Sequence, residues 1–305
     1  MSVLSLRKFC VEYANGAHAV RNVSLVIERG EQVVVLGESG CGKSTLAKAL
    51  LRLLPASSKV HGRVRIDGTH HPHDSNSAAE QSLRGLIAGF VPQNPLTAFN
   101  PFMSVGSQLR EAWTCHGKSI SRDDLIKRLE DAGLSEAAGY LDRRPAEWSG
   151  GMLQRALIIA ATAHDPVLVV ADEPTSAIDR PLARQMLELL VDRSETLFMI
   201  SHDVDLVQDL ATRILVMYSG TILEDGPAND VLTRPKHPYT LALLAALPTP
   251  GKLPTELPGE PPSLSHTPRG CVFAPRCQYA VRKCNDETPT LADGVACHYP
   301  LRGTA

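Results

Sequence analysis

Residues Gly37-Glu38-Ser39-Gly40-Cys41-Gly42-Lys43-Ser44-Thr45 fit the pattern Gly-x4-Gly-Lys-Ser, and no other stretch constrains the chain as tightly. The apolar run Gln32-Val33-Val34-Val35-Leu36 before it reads as a buried strand, and residues 46–51 after it read as helix. That strand–loop–helix context is what a phosphate-cradling loop requires. Glycines let backbone N–H groups close around a polyphosphate, and the helix N-terminus adds its positive dipole end. Lys43 then reaches the β- and γ-phosphates, and the Ser44 hydroxyl ligates Mg²⁺.

Bulk properties narrow the class. The 305 residues suffice for one large domain or two smaller ones. A 43% hydrophobic, 21% charged composition is that of an ordinary globular protein, and the net charge of −2 gives no sign of a nucleic-acid surface. No apolar run approaches the ~20 residues that span a bilayer. The N-terminus lacks a signal-peptide layout, so a cytosolic location is expected. Seven cysteines in a reducing compartment then point to metal binding or packing rather than disulfides.

Residues 1 to about 90 look strand-rich, and about 105–147 look helical, with Leu125, Leu129 and Ala132 at helical spacing. A second strand–helix block runs from Gly150 to about Leu247. Its runs 167–170 and 196–200 are continuously apolar, as in a parallel sheet covered on both faces. Seven of the 23 residues in 248–270 are proline, which reads as an extended linker. The tail, 271–305, holds Cys271, Cys277, Cys284 and Cys297.

Strand 167–170 ends in Asp172-Glu173, where one carboxylate can hold Mg²⁺ and the other can polarise an attacking water. Upstream lies Trp148-Ser149-Gly150-Gly151-Met152-Leu153-Gln154-Arg155. It resembles the signature of ATP-binding cassette (ABC) proteins, usually Leu-Ser-Gly-Gly-x-x-Gln-Arg, with Trp148 in place of Leu. Small residues there let a helix tip approach a phosphate closely. The resemblance covers residues 3 to about 247. It implies an α/β P-loop NTPase with a RecA-like core, an antiparallel β subdomain and a helical subdomain at about 95–150, followed by the linker 248–270 and the Cys-containing extension 271–305.

The same resemblance implies roles for further residues. Tyr13 matches the aromatic that stacks on adenine, and Gln93 the glutamine that contacts Mg²⁺ and senses the membrane partner. Ser176-Ala177-Ile178-Asp179 matches the D-loop, and His202 the switch histidine on the γ-phosphate. ATP held by Gly37, Ser39, Gly40, Cys41, Gly42, Lys43, Ser44 and Thr45 of one subunit is capped by Ser149, Gly150 and Gly151 of a second.

Residues 91–95, 99–101 and 234–248 are similar to cassettes of the dipeptide, oligopeptide and nickel importer family. That implies a partner ATPase, two membrane permeases, an extracytoplasmic solute-binding protein, no nucleic acid, and a peripheral position on the cytoplasmic face of the inner membrane. Leu153, taken as a surface residue, stands where peptide-type members often have Arg and leans slightly toward nickel or metallophore cargo. The alternative class is a soluble ABC ATPase acting on nucleic acid or ribosomes, for which the roughly 55 residues between Gln93 and Ser149 leave little room.

The tail cysteines are spaced x5, x6 and x12, which leaves a [4Fe–4S] cluster, zinc or metal-free packing open. Resemblance to the peptide-importer extension adds weight to the cluster. Cys10 and Cys115 read as packing residues, and His70-His71-Pro72-His73 reads as a solvated loop.

Overall fold

A computed structural model describes residues 1–71, 82–176, 178–247, 257, 259–265 and 268–301. Ala177, Pro72, His73 and most of the proline-rich segment lie outside the described residues.

Two sheets organise the molecule. Strands β1 (Ser2–Glu12), β2 (His18–Glu28), β4 (Lys59–Ile66) and β5 (Thr69–His70) form an antiparallel sheet in the order β2-β1-β4-β5. Strands β3 (Gln32–Leu36), β6 (Ala88–Val91), β7 (Leu168–Asp172), β8 (Leu197–Ile200), β9 (Arg213–Tyr218) and β10 (Thr221–Pro227) form the second sheet, ordered β10-β9-β3-β8-β7-β6. Its pairs from β9 to β6 are parallel, and β10 adds antiparallel.

Alternation along β3 divides the core. Val33 and Val35 face the antiparallel sheet together with Leu46, Ala47 and Leu50 of helix α1 (Lys43–Leu50). Val34 and Leu36 point to the opposite side, against Met186, Leu187 and Leu190 of the helix Arg180–Asp192. Side chains of a strand alternate faces, so a continuous apolar run is what a doubly covered strand needs. Each fully buried aliphatic side chain contributes about 1.5–3 kcal/mol.

A third core belongs to the helical region. Leu125 and Leu129 of the helix Arg122–Asp131 pack with Val105, Leu109, Trp113 and Trp148. Ser121 caps that helix by accepting the Asp124 N–H, and Asp123 and Asp124 suit its positive end.

The cysteine-bearing extension folds back onto the parallel sheet. The Ala296 N–H donates to the Leu223 carbonyl, Asp225 N–H to Gly294 and Leu301 N–H to Lys236, each at 2.8 Å. Phe273 is buried against Tyr218, Tyr239 and His237. The described part of the proline-rich segment is fastened too, since the Leu264 carbonyl accepts the His18 N–H and an Arg21 N–H, both at 2.9 Å. Among the described residues no helix is long and apolar enough to cross a membrane.

Candidate nucleotide-binding site

The loop 37–42 leaves the C-terminal end of β3 and delivers the chain into α1. Gly42 has φ +106°, and a Cβ there would stand 2.0 Å from the Ala19 carbonyl oxygen. A Cβ on Gly37 would stand 2.2 Å from the Met217 carbonyl oxygen. Only glycine fits both positions, because backbone is the obstacle and cannot yield as a flexible side chain would. The buried Lys43 ammonium donates to the carbonyls of Gly37 at 2.8 Å and Glu38 at 2.9 Å, so its charge is held at the mouth of the loop. Ser39 and Gly40 are exposed at the tip, while Cys41 is buried beneath. Burial pushes the Cys41 thiol up despite the neighbouring Lys43, leaving it a packing group rather than a reactive thiol.

From α1, the Ser44 hydroxyl donates to Asp172 Oδ1 at 2.8 Å. Asp172 ends the fully buried β7, and burial pushes its carboxyl up, partly offset by the Ser44 hydroxyl and then by Lys48. A desolvated carboxylate beside a hydroxyl is a hard-oxygen donor pair, so the residues fit Mg²⁺.

The next residue, Glu173, has φ +46°, a left-handed conformation that costs a non-glycine residue about 1–3 kcal/mol. Its N–H is tied to the Ile200 carbonyl at 3.1 Å. Its Oε2 accepts a hydrogen bond from Gln93 Nε2 at 2.9 Å and lies 3.4 Å from His202 Nδ1. Two sequence candidates thus meet on the carboxylate of a third.

Tyr13, immediately after β1 where the turn begins, shares a hydrogen bond of 2.9 Å with Thr45 Oγ1. This ties the expected adenine-stacking ring to α1. Ser149 is the N-cap of the helix Gly150–Ala161, its hydroxyl accepting the Met152 N–H at 3.2 Å. Asp179 stands at the N-cap of the helix Arg180–Asp192.

Three expectations differ from the structure. Leu153 is fully buried in the helical core, so it is a packing residue rather than a surface one. Cys115 is exposed at a helix C-terminus rather than packed, although Cys10 is half-buried. His71 is buried under β4, its N–H donating to the Val64 carbonyl at 3.1 Å, so that part of the His tract is not solvated. The Trp148 ring packs in the helical core, with Nε1 donating to the Tyr140 carbonyl at 3.1 Å.

Cys271, Cys277, Cys284 and Cys297 line one cavity of about 20 Å³ with His237 and His298. The Cys271 N–H donates to the Cys284 carbonyl at 2.7 Å, bracing two of the segments. Burial pushes the Cys271 thiol up to about 11 and raises those of Cys277 and Cys297. The donors suit a soft metal in kind and number. Their spacing does not: among the described residues no three His, Cys, Asp or Glu side chains stand close enough to hold a metal ion.

Two features escaped the sequence reading. His237 is buried and accepts the Tyr239 N–H through Nδ1 at 2.9 Å, so its other nitrogen carries the proton. Arg276, in the extension, donates twice to the Glu38 carboxylate of the phosphate loop, at 2.7 and 3.1 Å.

A phosphate loop with its Ser44–Asp172 pair, and a carboxylate bracketed by Gln93 and His202, define a P-loop ATPase. Residues 20–176 match the ABC transporter family, and residues 223–284 match the oligopeptide/dipeptide transporter C-terminal region. The chain belongs to the ABC transporter family, as an ATP-hydrolysing cassette. It is 37% identical over 323 residues to the dipeptide transport ATP-binding protein DppD of Escherichia coli (strain K12), covering 99% of this chain and 98% of that protein. It is 33% identical to DppD of Lactococcus lactis subsp. cremoris (strain MG1363), covering 94% of this chain and 85% of that one. A solved dimeric ATP-binding cassette in a post-hydrolysis state, bound to ADP and Pi, matches with a TM-score of 0.64 at 26% identity, over 74% of this chain and 98% of its own. These relatives are transport proteins or cassettes, and they lend the nucleic-acid alternative no support.

Proposed function

We propose that this chain is the ATPase subunit of an importer for di- and oligopeptides. It pairs with a second homologous ATPase on the cytoplasmic face of the membrane, beneath two permeases that receive cargo from a solute-binding protein. What supports the peptide reading is the match of residues 223–284 to the oligopeptide/dipeptide transporter C-terminal region, together with near-full-length relatives named for dipeptide transport.

In this mechanism Lys43 and the loop amides bind the phosphates, and Tyr13 stacks on adenine. Ser44 and Asp172 are the oxygens that would hold Mg²⁺, with the Gln93 carbonyl as a third, since its amide NH₂ already engages Glu173. The ion, when bound, neutralises phosphate charge. Glu173 accepts a proton from the attacking water, with Gln93 fixing its orientation. His202 donates to the phosphoryl oxygens, and Ser149, Gly150 and Gly151 cap the nucleotide of the opposing subunit.

The finer reading of the extension is a [4Fe–4S] cluster on Cys271, Cys277, Cys284 and Cys297, with zinc or no metal as the alternatives. The shared cavity supports it and the spacing of the thiols opposes it. Iron, sulfide and zinc content of anaerobically purified protein, with Cys277→Ser as control, decides between them.

The test of function is ATP hydrolysis by the reconstituted transporter with its permeases and binding protein. Di- or oligopeptides should stimulate it and nickel complexes should not. Stimulation by nickel complexes alone would reassign the cargo.

A further inference from the structure

The extension reaches the phosphate loop through one side chain. Arg276 closes the 3-10 turn Ala274–Arg276, immediately before Cys277. Its side chain is only 4% exposed, and its guanidinium forks onto both oxygens of Glu38 at 2.7 and 3.1 Å. It also donates to the Tyr218 hydroxyl at 3.2 Å and lies over the Tyr218 ring at 5.7 Å. Such a bidentate pair fixes orientation as well as charge.

Glu38 is held at two further points. Its N–H donates to the Tyr239 hydroxyl at 2.9 Å, and its carbonyl accepts a hydrogen bond from Lys43 Nζ at 2.9 Å. A continuous chain of contacts therefore runs from Arg276 through Glu38 to the lysine. The carboxylate of Glu38 also brings negative charge into a loop whose task is to bind a polyanion. Arg276 cancels it.

We propose that Arg276 is a positioning residue of the nucleotide site: contributed by the C-terminal extension, it fixes and neutralises Glu38, and through the Glu38 carbonyl it sets where Lys43 presents its ammonium. The cassette would otherwise present an unpaired carboxylate beside its own phosphate loop. The proposal is independent of cargo and rests on the reading of Lys43 as a phosphate ligand.

The experiment is a set of full-length variants, Arg276→Gln, Arg276→Lys, Glu38→Gln and Arg276→Gln/Glu38→Gln, assayed for binding of a fluorescent ATP analogue, ATP KM and kcat, and thermal unfolding. Arg276→Gln should weaken nucleotide affinity about tenfold and raise KM more than it lowers kcat. Arg276→Lys, which keeps the charge and loses the fork, should fall between. The double variant should recover most of the affinity lost by Arg276→Gln, because the stranded carboxylate is gone. Such recovery is coupling, which two independent effects do not show.

A lowered unfolding temperature with affinity within about twofold of wild type overturns the proposal. So does a double variant that binds no better than Arg276→Gln. If Arg276→Gln does not fold, Arg276→Lys decides alone: weakened nucleotide affinity supports the proposal, and affinity within about twofold of wild type overturns it. Lys43→Ala serves as control: undiminished binding there would remove the lysine from the site, a failure distinct from that of Arg276.

Discussion

Gln93 and His202 converge on a single oxygen, Oε2 of Glu173, at 2.9 and 3.4 Å. Strand order explains the meeting. Gln93 follows β6, Glu173 follows β7 and His202 follows β8, three adjacent parallel strands whose C-terminal ends lie side by side. Gln93→Ala frees the carboxylate to rotate and removes an oxygen that would hold Mg²⁺, so hydrolysis should fall about 10- to 100-fold, more than ATP affinity does. Parallel measurement of kcat and nucleotide binding checks the split.

Gly42→Ala tests the loop. The new Cβ meets the Ala19 carbonyl at 2.0 Å in a backbone conformation that disfavours side chains. The loop has to shift, and nucleotide affinity should fall more than about tenfold, or about 1.4 kcal/mol. Titration with a fluorescent nucleotide reads it.

Trp148→Leu restores the residue usual at this signature position. Here it should destabilise by about 1–3 kcal/mol, because the ring fills the helical core against Tyr140 at a centroid distance of 5.9 Å. The Ser149 cap on Met152 does not depend on the ring. Unfolding temperature should drop while ATP KM stays near wild type.

What was legible in the chain was local. The phosphate loop, the Asp172-Glu173 strand end and the signature helix each carry their chemistry within a dozen residues, and each sits where its flanking apolar pattern put it. Packing between distant segments was not legible. Arg276 and Glu38 are 238 positions apart, and nothing around either residue announces the other. The letters of the signature motif do not say that the helical core covers Leu153. The polar neighbours of His71 suggest solvent, yet the pairing of Thr69 with Ile66 brings its N–H to the Val64 carbonyl and its side chain is buried.

His237 makes stability depend on acid. Burial lowers its pKa from 6.5 to about 4, so the unfolded chain binds a proton that the folded one refuses. The stabilising contribution is complete above about pH 6.5 and is lost as pH falls toward 4. It amounts to about 3 kcal/mol in full. His237→Asn keeps an acceptor for the Tyr239 N–H and should flatten the unfolding temperature between pH 7 and 5, where wild type declines.

The central claim is that Glu173 takes the proton of the attacking water in a site built from this chain's own loop. The most direct measurement is single-turnover hydrolysis of radiolabelled ATP by Glu173→Gln, assembled with its partner ATPase and permeases, with each nucleotide site followed separately. The account predicts tight ATP binding at the site this chain builds, with cleavage there slowed about 10²- to 10⁴-fold. Cleavage at that site at the wild-type rate, with ATP bound normally, would contradict it.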